Sequence, residues 1–243
     1  MTYCVGLRLS KGLVFMSDTR TNAGVDDISQ TKKMHSWEAP GERVITLLSA
    51  GNLATTQAVV SLLDERSKAP GDRNPSILAA PSMFQVARIV GNTLRDVVTQ
   101  YEEAGPTAAS PFAATLILGG QIAGSAPRLF LIYPEGNFIE AGDDNPFFQS
   151  GEIKYGRPIL ERALDSEMSF EDAVKLLCVS FSSTILSNAG VDMPLDLQIH
   201  ATNECRVTQE RRFEREDPYF REVSKGWSDA LRDALAALPE FSF

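Results

Sequence analysis

The sequence has only two histidines, His35 and His200, and three cysteines, Cys4, Cys178 and Cys205, in 243 residues. Three cysteines cannot build a disulfide framework, and their spacing offers no zinc knuckle. Two histidines leave little for a His-rich metal site, so neither a metal nor another cofactor is expected. A Ser-His-Asp hydrolase needs a positioned imidazole. Neither histidine lies near a nucleophile elbow, and no Gly-x-Ser-x-Gly run occurs. No phosphate loop ending in Gly-Lys-Ser/Thr occurs, and the glycines from Gly119 to Gly124 have the wrong spacing for a dinucleotide fingerprint. Positive charge is also scarce. The 23 Lys and Arg against 32 Asp and Glu leave a net charge of −9, which argues against nucleic acid as a partner. No apolar run approaches the roughly 20 residues that span a bilayer, and no basic segment followed by an apolar run opens the chain. A cytoplasmic protein of a reducing compartment, with no membrane partner, is the expectation.

What is present suffices for a large core. Hydrophobic residues make up 43% of the chain. At roughly 150 residues per domain, the length allows one large domain or two small ones. No internal repeat or low-complexity linker divides it, so residues 1–243 read as one domain. The only plausible boundary is the short loop 105–111.

The chain opens on a hairpin. Val5, Leu7 and Leu9 alternate with Gly6 and Arg8, as in a half-buried strand, and a Ser10-Lys11-Gly12 turn leads into the apolar run 13–16. A polar stretch, 17–24, follows that buried strand. A weak strand or irregular segment then leads through Ile28 to Lys32-Lys33-Met34, and 38–42 is a turn. Residues 43–50 form a strong strand, stopped by Gly51-Asn52. The apolar period then changes to helical over about 53–66 and again over about 82–103. Strands are expected at 112–118, 128–133 and 137–141, and helices at about 154–164 and about 169–187. Ser169 with Asp172 marks the start of the last of these. Late strands at 195–201 and 206–207 precede a C-terminal helical region of about 218–239. Its apolar face is Trp227, Leu231, Leu235 and Leu238. Strands and helices in blocks indicate an α+β fold and not an alternating parallel one.

The candidate chemistry begins at Thr2. Removal of Met1 would expose an N-terminal threonine, which carries a hydroxyl nucleophile and its own base. The α-amine has a reference pKa of about 7.7–8.0, against about 10.4 for lysine, so no histidine is required. A nearby cation would keep that amine unprotonated at neutral pH, and a carboxylate must hold the cation. Lys33 and Asp18 are the candidates. Gly51, where a strand ends and a helix begins, could offer a backbone N–H to an oxyanion.

These residues resemble a known family. Thr2, the hairpin, Ser17-Asp18-Thr19-Arg20, Lys32-Lys33 followed by Met34, and Ser49-Ala50-Gly51 before a helix look like a proteasome β-type subunit. Such subunits are N-terminal nucleophile hydrolases. Gln149-Ser150-Gly151 and Tyr155-Gly156 match the segment that carries a supporting serine. The opening residues, the run 17–24 and the Trp227 helix are similar to an ancestral bacterial type without a propeptide. The resemblance covers essentially the whole chain. It implies a four-layer αββα sandwich, antiparallel sheets flanked by helices, with Thr2 as nucleophile, Lys33 tuning its amine, Asp18 pairing Lys33, Gly51 in the oxyanion hole and Ser150 supporting the amine. It also implies a peptide or protein substrate, self-association into a ring-like or helical homo-oligomer, and an unknown unfoldase as a possible partner. At one point the chain departs from the family. An Asp is expected three residues before a Ser-Gly pair, and here Thr184 precedes Ser187-Asn188. Ser187 or Asn188 could hydrogen-bond the amine, but neither carries an acid's charge.

Each residue alone has a plainer reading. Asp18 suits a turn or cap, Lys33 a solvated charge, Arg20 a structural ion pair and Ser150 a helix cap. Cys4 reads as a small buried side chain, and His35 and His200 as structural. The charged run 210–217 reads as a solvated or subunit-contact surface. Three functions remain open: a threonine peptidase acting through an acyl-enzyme, a non-catalytic assembly subunit, and a small-molecule amidohydrolase of the same fold.

Overall fold

A computed structural model describes residues 2–22, 28–68, 75–104 and 112–243. Most of the loop expected between the two long helices, and the whole of the loop at 105–111, lie outside these residues, as do Met1 and the end of the 17–24 run.

The N-terminal hairpin is β1 (Tyr3–Leu9) and β2 (Gly12–Asp18). β1 is more deeply buried than its alternation predicts, whereas β2 is buried throughout, as its continuous apolar run leads one to expect. Tyr3, Val5 and Leu7 pack toward a helical layer, while Cys4 faces a second sheet together with Leu13 and Phe15. The small residues on β1 are therefore not its solvent face, because another sheet covers them. A short ribbon follows, β3 (Arg20–Asn22) with β4 (Ile28–Gln30). Strands β5 (Met34–Ala39) and β6 (Arg43–Gly51) come next. Residues 35–37 carry no strand expectation from the sequence, since Met34-His35-Ser36-Trp37 has no clean period.

Two helices, α1 (Leu53–Lys68) and α2 (Met83–Ala104), precede β7 (Ala114–Ile122), β8 (Arg128–Ile132), β9 (Phe138–Glu140) and β10 (Phe147–Gly151). The glycines of 119–120 thus belong to a strand. Then come α3 (Arg157–Ala163) and α4 (Phe170–Ser187), β11 (Leu195–Ala201), β12 (Gln209–Phe213) and α5 (Pro218–Ala236). Ser169 caps α4 by accepting the Asp172 N–H at 3.0 Å. The last strand lies three residues later than 206–207. Its Arg212 pairs with Asp196 across the ladder at 2.8 Å, and only Phe213 is buried, as befits a charged edge strand.

One antiparallel sheet runs β10-β1-β2-β11-β12 and the other β5-β6-β7-β8-β9. Helices α3, α4 and α5 cover the first sheet through Leu160, Leu177, Phe181 and Phe220. Helices α1 and α2 cover the second through Leu63, Val86, Val90 and Leu94. A third apolar cluster lies between the sheets. The order of layers is helix, sheet, sheet, helix. Each fully buried Leu, Phe or Val in these layers contributes about 1.5–3 kcal/mol.

Candidate active site

β2 ends on Asp18, a fully buried carboxylate that follows the apolar run 13–16 and the buried Ser17. Two groups hold it. The Tyr3 N–H donates to Asp18 Oδ1 at 2.9 Å, and the Lys33 ammonium donates to the same oxygen at 2.7 Å. Lys33 Nζ also donates to the Arg20 carbonyl at 2.6 Å. Asp18 Oδ2 has no hydrogen-bond partner among the described residues. Burial raises the Asp18 pKa above the usual carboxylate value, while the Lys33 charge and the hydrogen bonds from Lys33 and Tyr3 pull it back. Lys33 is itself only 5% exposed. The plainer reading of Lys33 as a solvated charge is therefore wrong.

Thr2 stands one residue before β1, and its carbonyl accepts the Glu152 N–H at 2.7 Å. Gly151 lets the two strands meet there. A Cβ at that position would lie 2.0 Å from the Thr2 oxygen, and its φ of +88° favours glycine. Thr2, Lys33, Ser49, Gly51 and Gly151 line one cleft of about 960 Å³. Burial and the Lys32 charge push the His35 pKa down, and His35 lines the same cleft.

Gly51 also has a reason to be glycine. Its φ is +123°, and a Cβ would meet the Ala113 carbonyl at 2.6 Å. On β6, the Ser49 N–H bonds the Lys33 carbonyl on one side, and the Asn52 N–H bonds the Ala113 carbonyl on the other. The two-residue alternation of an antiparallel strand puts the Gly51 N–H on the Lys33 side. Asn52 Oδ1 accepts the Thr55 N–H at 3.2 Å and so caps α1. The positive end of that helix dipole opens on the cleft.

Ser150 is buried within β10, opposite Cys4, which in turn lies opposite Ser17. It caps no helix, since α3 starts after Gly156. Ser187 is exposed on the last turn of α4 and does not line the cleft. Asn188 is the C-cap of α4, and its Nδ2 donates to Glu152 Oε2 at 2.8 Å. Thr184 Oγ1 donates back to the Ser180 carbonyl of its own helix at 2.9 Å. Arg20 pairs with Asp192 at 2.9 Å, in line with the structural ion-pair reading. Cys4 is fully buried, its Sγ lies 3.7 Å from the Ser49 carbonyl, and burial pushes its thiol pKa up.

Glu152, Asn52 and Tyr3 were not singled out from the sequence. The signal for Glu152 is its place directly after a Ser-Gly pair that ends a strand beside Thr2. Tyr3 anchors the start of β1, since its hydroxyl meets Ser180 Oγ at 2.7 Å and accepts from Gln149 Nε2. Among the described residues, no group of three or more His, Cys, Asp or Glu is placed to hold a metal ion, and no helix is long and apolar enough to cross a membrane.

Two antiparallel sheets packed face to face between helical layers, with the first strand opening on a cleft, define the N-terminal nucleophile hydrolase sandwich. The proteasome subunit family matches residues 2–192, and the chain belongs to that family. Within it, the solved structures of Anbu are similar over nearly the whole chain. Anbu from Hyphomicrobium sp. strain MC1 is 52% identical, with 99% of this chain and 100% of that one covered and a TM-score of 0.90. Anbu (ancestral beta-subunit) from Yersinia bercovieri is 43% identical, with 99% of both chains covered and a TM-score of 0.92. The helical assembly of the Anbu complex from Pseudomonas aeruginosa is 41% identical, with 99% and 98% covered and a TM-score of 0.92. Proteasome subunit alpha 1 of Haloarcula marismortui is 25% identical over 182 residues, 75% of this chain and 64% of that protein. The matched stretch thus spans less than two thirds of that curated relative.

Proposed function

We propose that the chain is an N-terminal threonine hydrolase of amide bonds, a peptidase, once Met1 has been removed. The observation that carries this reading is the Asp18–Lys33 pair at 2.7 Å, whose Lys33 lines the cleft that also holds Thr2. The Lys33 charge lowers the pKa of the Thr2 amine, so the amine takes the proton of the Thr2 hydroxyl as the oxygen attacks the substrate carbonyl. The Gly51 N–H and the start of α1 stabilise the resulting oxyanion. Collapse breaks the C–N bond, and the Thr2 ammonium returns its proton to the leaving amine. Water then attacks the ester, with the amine again as base, and frees the acid and the hydroxyl. Ser150, buried beside Gly151, supports the amine in this scheme. A peptide or protein substrate in the cytoplasm, delivered by an unfoldase, fits this activity.

A non-catalytic or weakly active assembly subunit is a second reading. It is favoured by the lack of an acid at Thr184 and by the exposed Leu231, Leu235 and Leu238 at the C-terminal end, which suit contacts between copies. A ring-like or helical homo-oligomer agrees with both readings, and a helical assembly is what the Pseudomonas aeruginosa protein forms. A small-molecule amidohydrolase is a third, separated from the first by a screen of peptides against simple amides.

Intact mass and covalent labelling test the first reading. The purified protein should lack the mass of one Met, and a β-lactone should add one acyl group to Thr2. Thr2→Ala should abolish that label. Retention of Met1, or unchanged labelling of the variant, overturns the catalytic reading.

A further inference from the structure

Glu152 has no part in the scheme above, yet it is placed as few carboxylates are. It follows β10 directly, is only 6% exposed, and its backbone N–H bonds the Thr2 carbonyl at 2.7 Å. Among the described residues, its one side-chain hydrogen bond comes from a neutral amide, Asn188 Nδ2, at 2.8 Å. Among the described residues, no Lys, Arg or His forms an ion pair with it. A buried carboxylate without a cation is costly, so such a group marks a place where a positive charge forms.

The end of α4 gives the same indication. Thr184, at the position where the family resemblance leads one to expect an acid, turns its hydroxyl into its own helix. Asn188 ends that helix and grips Glu152 instead. The carboxylate near the first residue thus comes from the end of β10 and is locked by an amide from α4.

We infer that Glu152 is a positioning residue for the Thr2 α-amine. Clamped by Asn188, its carboxylate stabilises the ammonium that forms when the amine accepts the hydroxyl proton. No bond to the carboxylate forms or breaks. This inference rests on the threonine-hydrolase reading. Lys33 and Glu152 then act in opposition: the first keeps the amine free before attack, and the second holds the cation after it. The other charges around Thr2 are spoken for or lie along the cleft. Lys33 is held by Asp18 of β2. Arg20 of β3 pairs with Asp192, which also takes Arg215. Lys32 and His35 line the cleft from β5 and the residues before it. Neither the first turn of α1 nor the last turn of α4 carries a charge of the sign that would replace Glu152.

The test uses full-length protein released from a cleavable N-terminal fusion, with Thr2 as its first residue. Two rates are measured between pH 5 and 10: acetylation of the Thr2 amine by acetic anhydride, read from the N-terminal peptide mass, and acylation of its hydroxyl by a β-lactone. Glu152→Gln keeps an acceptor for Asn188. It should lower the amine pKa by about one unit and slow β-lactone acylation about tenfold. Glu152→Asp should restore part of both, and Asn188→Ala should shift the amine in the same direction as Glu152→Gln. An amine titration in Glu152→Gln that superimposes on the wild type overturns the inference. A shifted amine with no β-lactone label in the wild type leaves the inference standing and removes the hydrolase reading. A labelled wild type with an unshifted variant does the reverse.

Discussion

Replacing Lys33 with Met separates the electrostatic account of this site from a packing account. Methionine keeps the length and apolar stem of lysine, so the cavity hardly changes. What is lost is the ammonium, which sits 2.7 Å from Asp18 Oδ1 and 2.6 Å from the Arg20 carbonyl. Asp18 is fully buried, and its other oxygen has no protein partner among the described residues, so the Tyr3 N–H becomes its main support. Removing one member of a buried pair costs about 3–5 kcal/mol. Lys33→Met should lose that much in urea unfolding at pH 7 and should also lose β-lactone labelling. Asp18→Asn in the same chain removes the stranded charge. The double variant should therefore be more stable than the sum of the single effects by about 1–3 kcal/mol. The sign of the pH dependence follows from the raised Asp18 pKa. A carboxyl whose folded pKa is raised stabilises the fold while protonated and loses that contribution as pH rises through the folded value. Without Lys33 the Asp18 pKa rises further, so the deficit of Lys33→Met should shrink as pH falls toward 4. A deficit below about 1 kcal/mol, or one independent of pH, would refute the claim that this pair is held by charge.

Three further outcomes are expected. His200 is 2% exposed, and burial drives its pKa down to about 3; the unfolded chain therefore binds the extra proton below pH 6.5, and stability should fall by up to about 1.4 kcal/mol per unit as pH drops from there toward 3. Acid unfolding of His200→Gln should show a flatter slope, and an unchanged slope rules this group out. Tyr3→Phe leaves Ser180 and Gln149 short of a partner and should cost about 1–3 kcal/mol in thermal unfolding; no loss would mean the tyrosine hydroxyl does not anchor β1. Gly51→Ala must place a Cβ 2.6 Å from the Ala113 carbonyl at a φ of +123°, a strain of about 1–3 kcal/mol, and it should lower β-lactone labelling along with stability, whereas unimpaired labelling removes Gly51 from the oxyanion site.

The elements were legible wherever one local pattern dominated. The helical period over 53–66 and 82–103 lies within two residues of α1 and α2, and Ser169 with Asp172 marks the start of α4. The patterns failed where burial comes from a distant element. β1 reads as half-buried because Gly6 and Arg8 alternate with its apolar residues, and only the second sheet, packed against Cys4 and Gly6, makes that face interior. β5 has no period because it passes from the core between the sheets, at Met34, to the Trp37 packing on the helical side. β12 carries charges along an edge, so its run suggested surface and not strand.

The site divides along the same line. Thr2, Asp18, Lys33 and Gly51 fall within 50 residues, on consecutive elements, so a reading of turn and strand ends could single them out. Glu152 comes beside Thr2 only because Gly151 lets β10 close on Thr2, and Asn188 reaches Glu152 because α4 ends there. An acid missing from one position in the chain is therefore no measure of the charge at the amine. The position that counts is spatial, and here it is reached from a strand end in place of a helix end. Ser187 stays out of the cleft because it is exposed on the last turn of α4, while the next residue, Asn188, ends the helix and donates to Glu152.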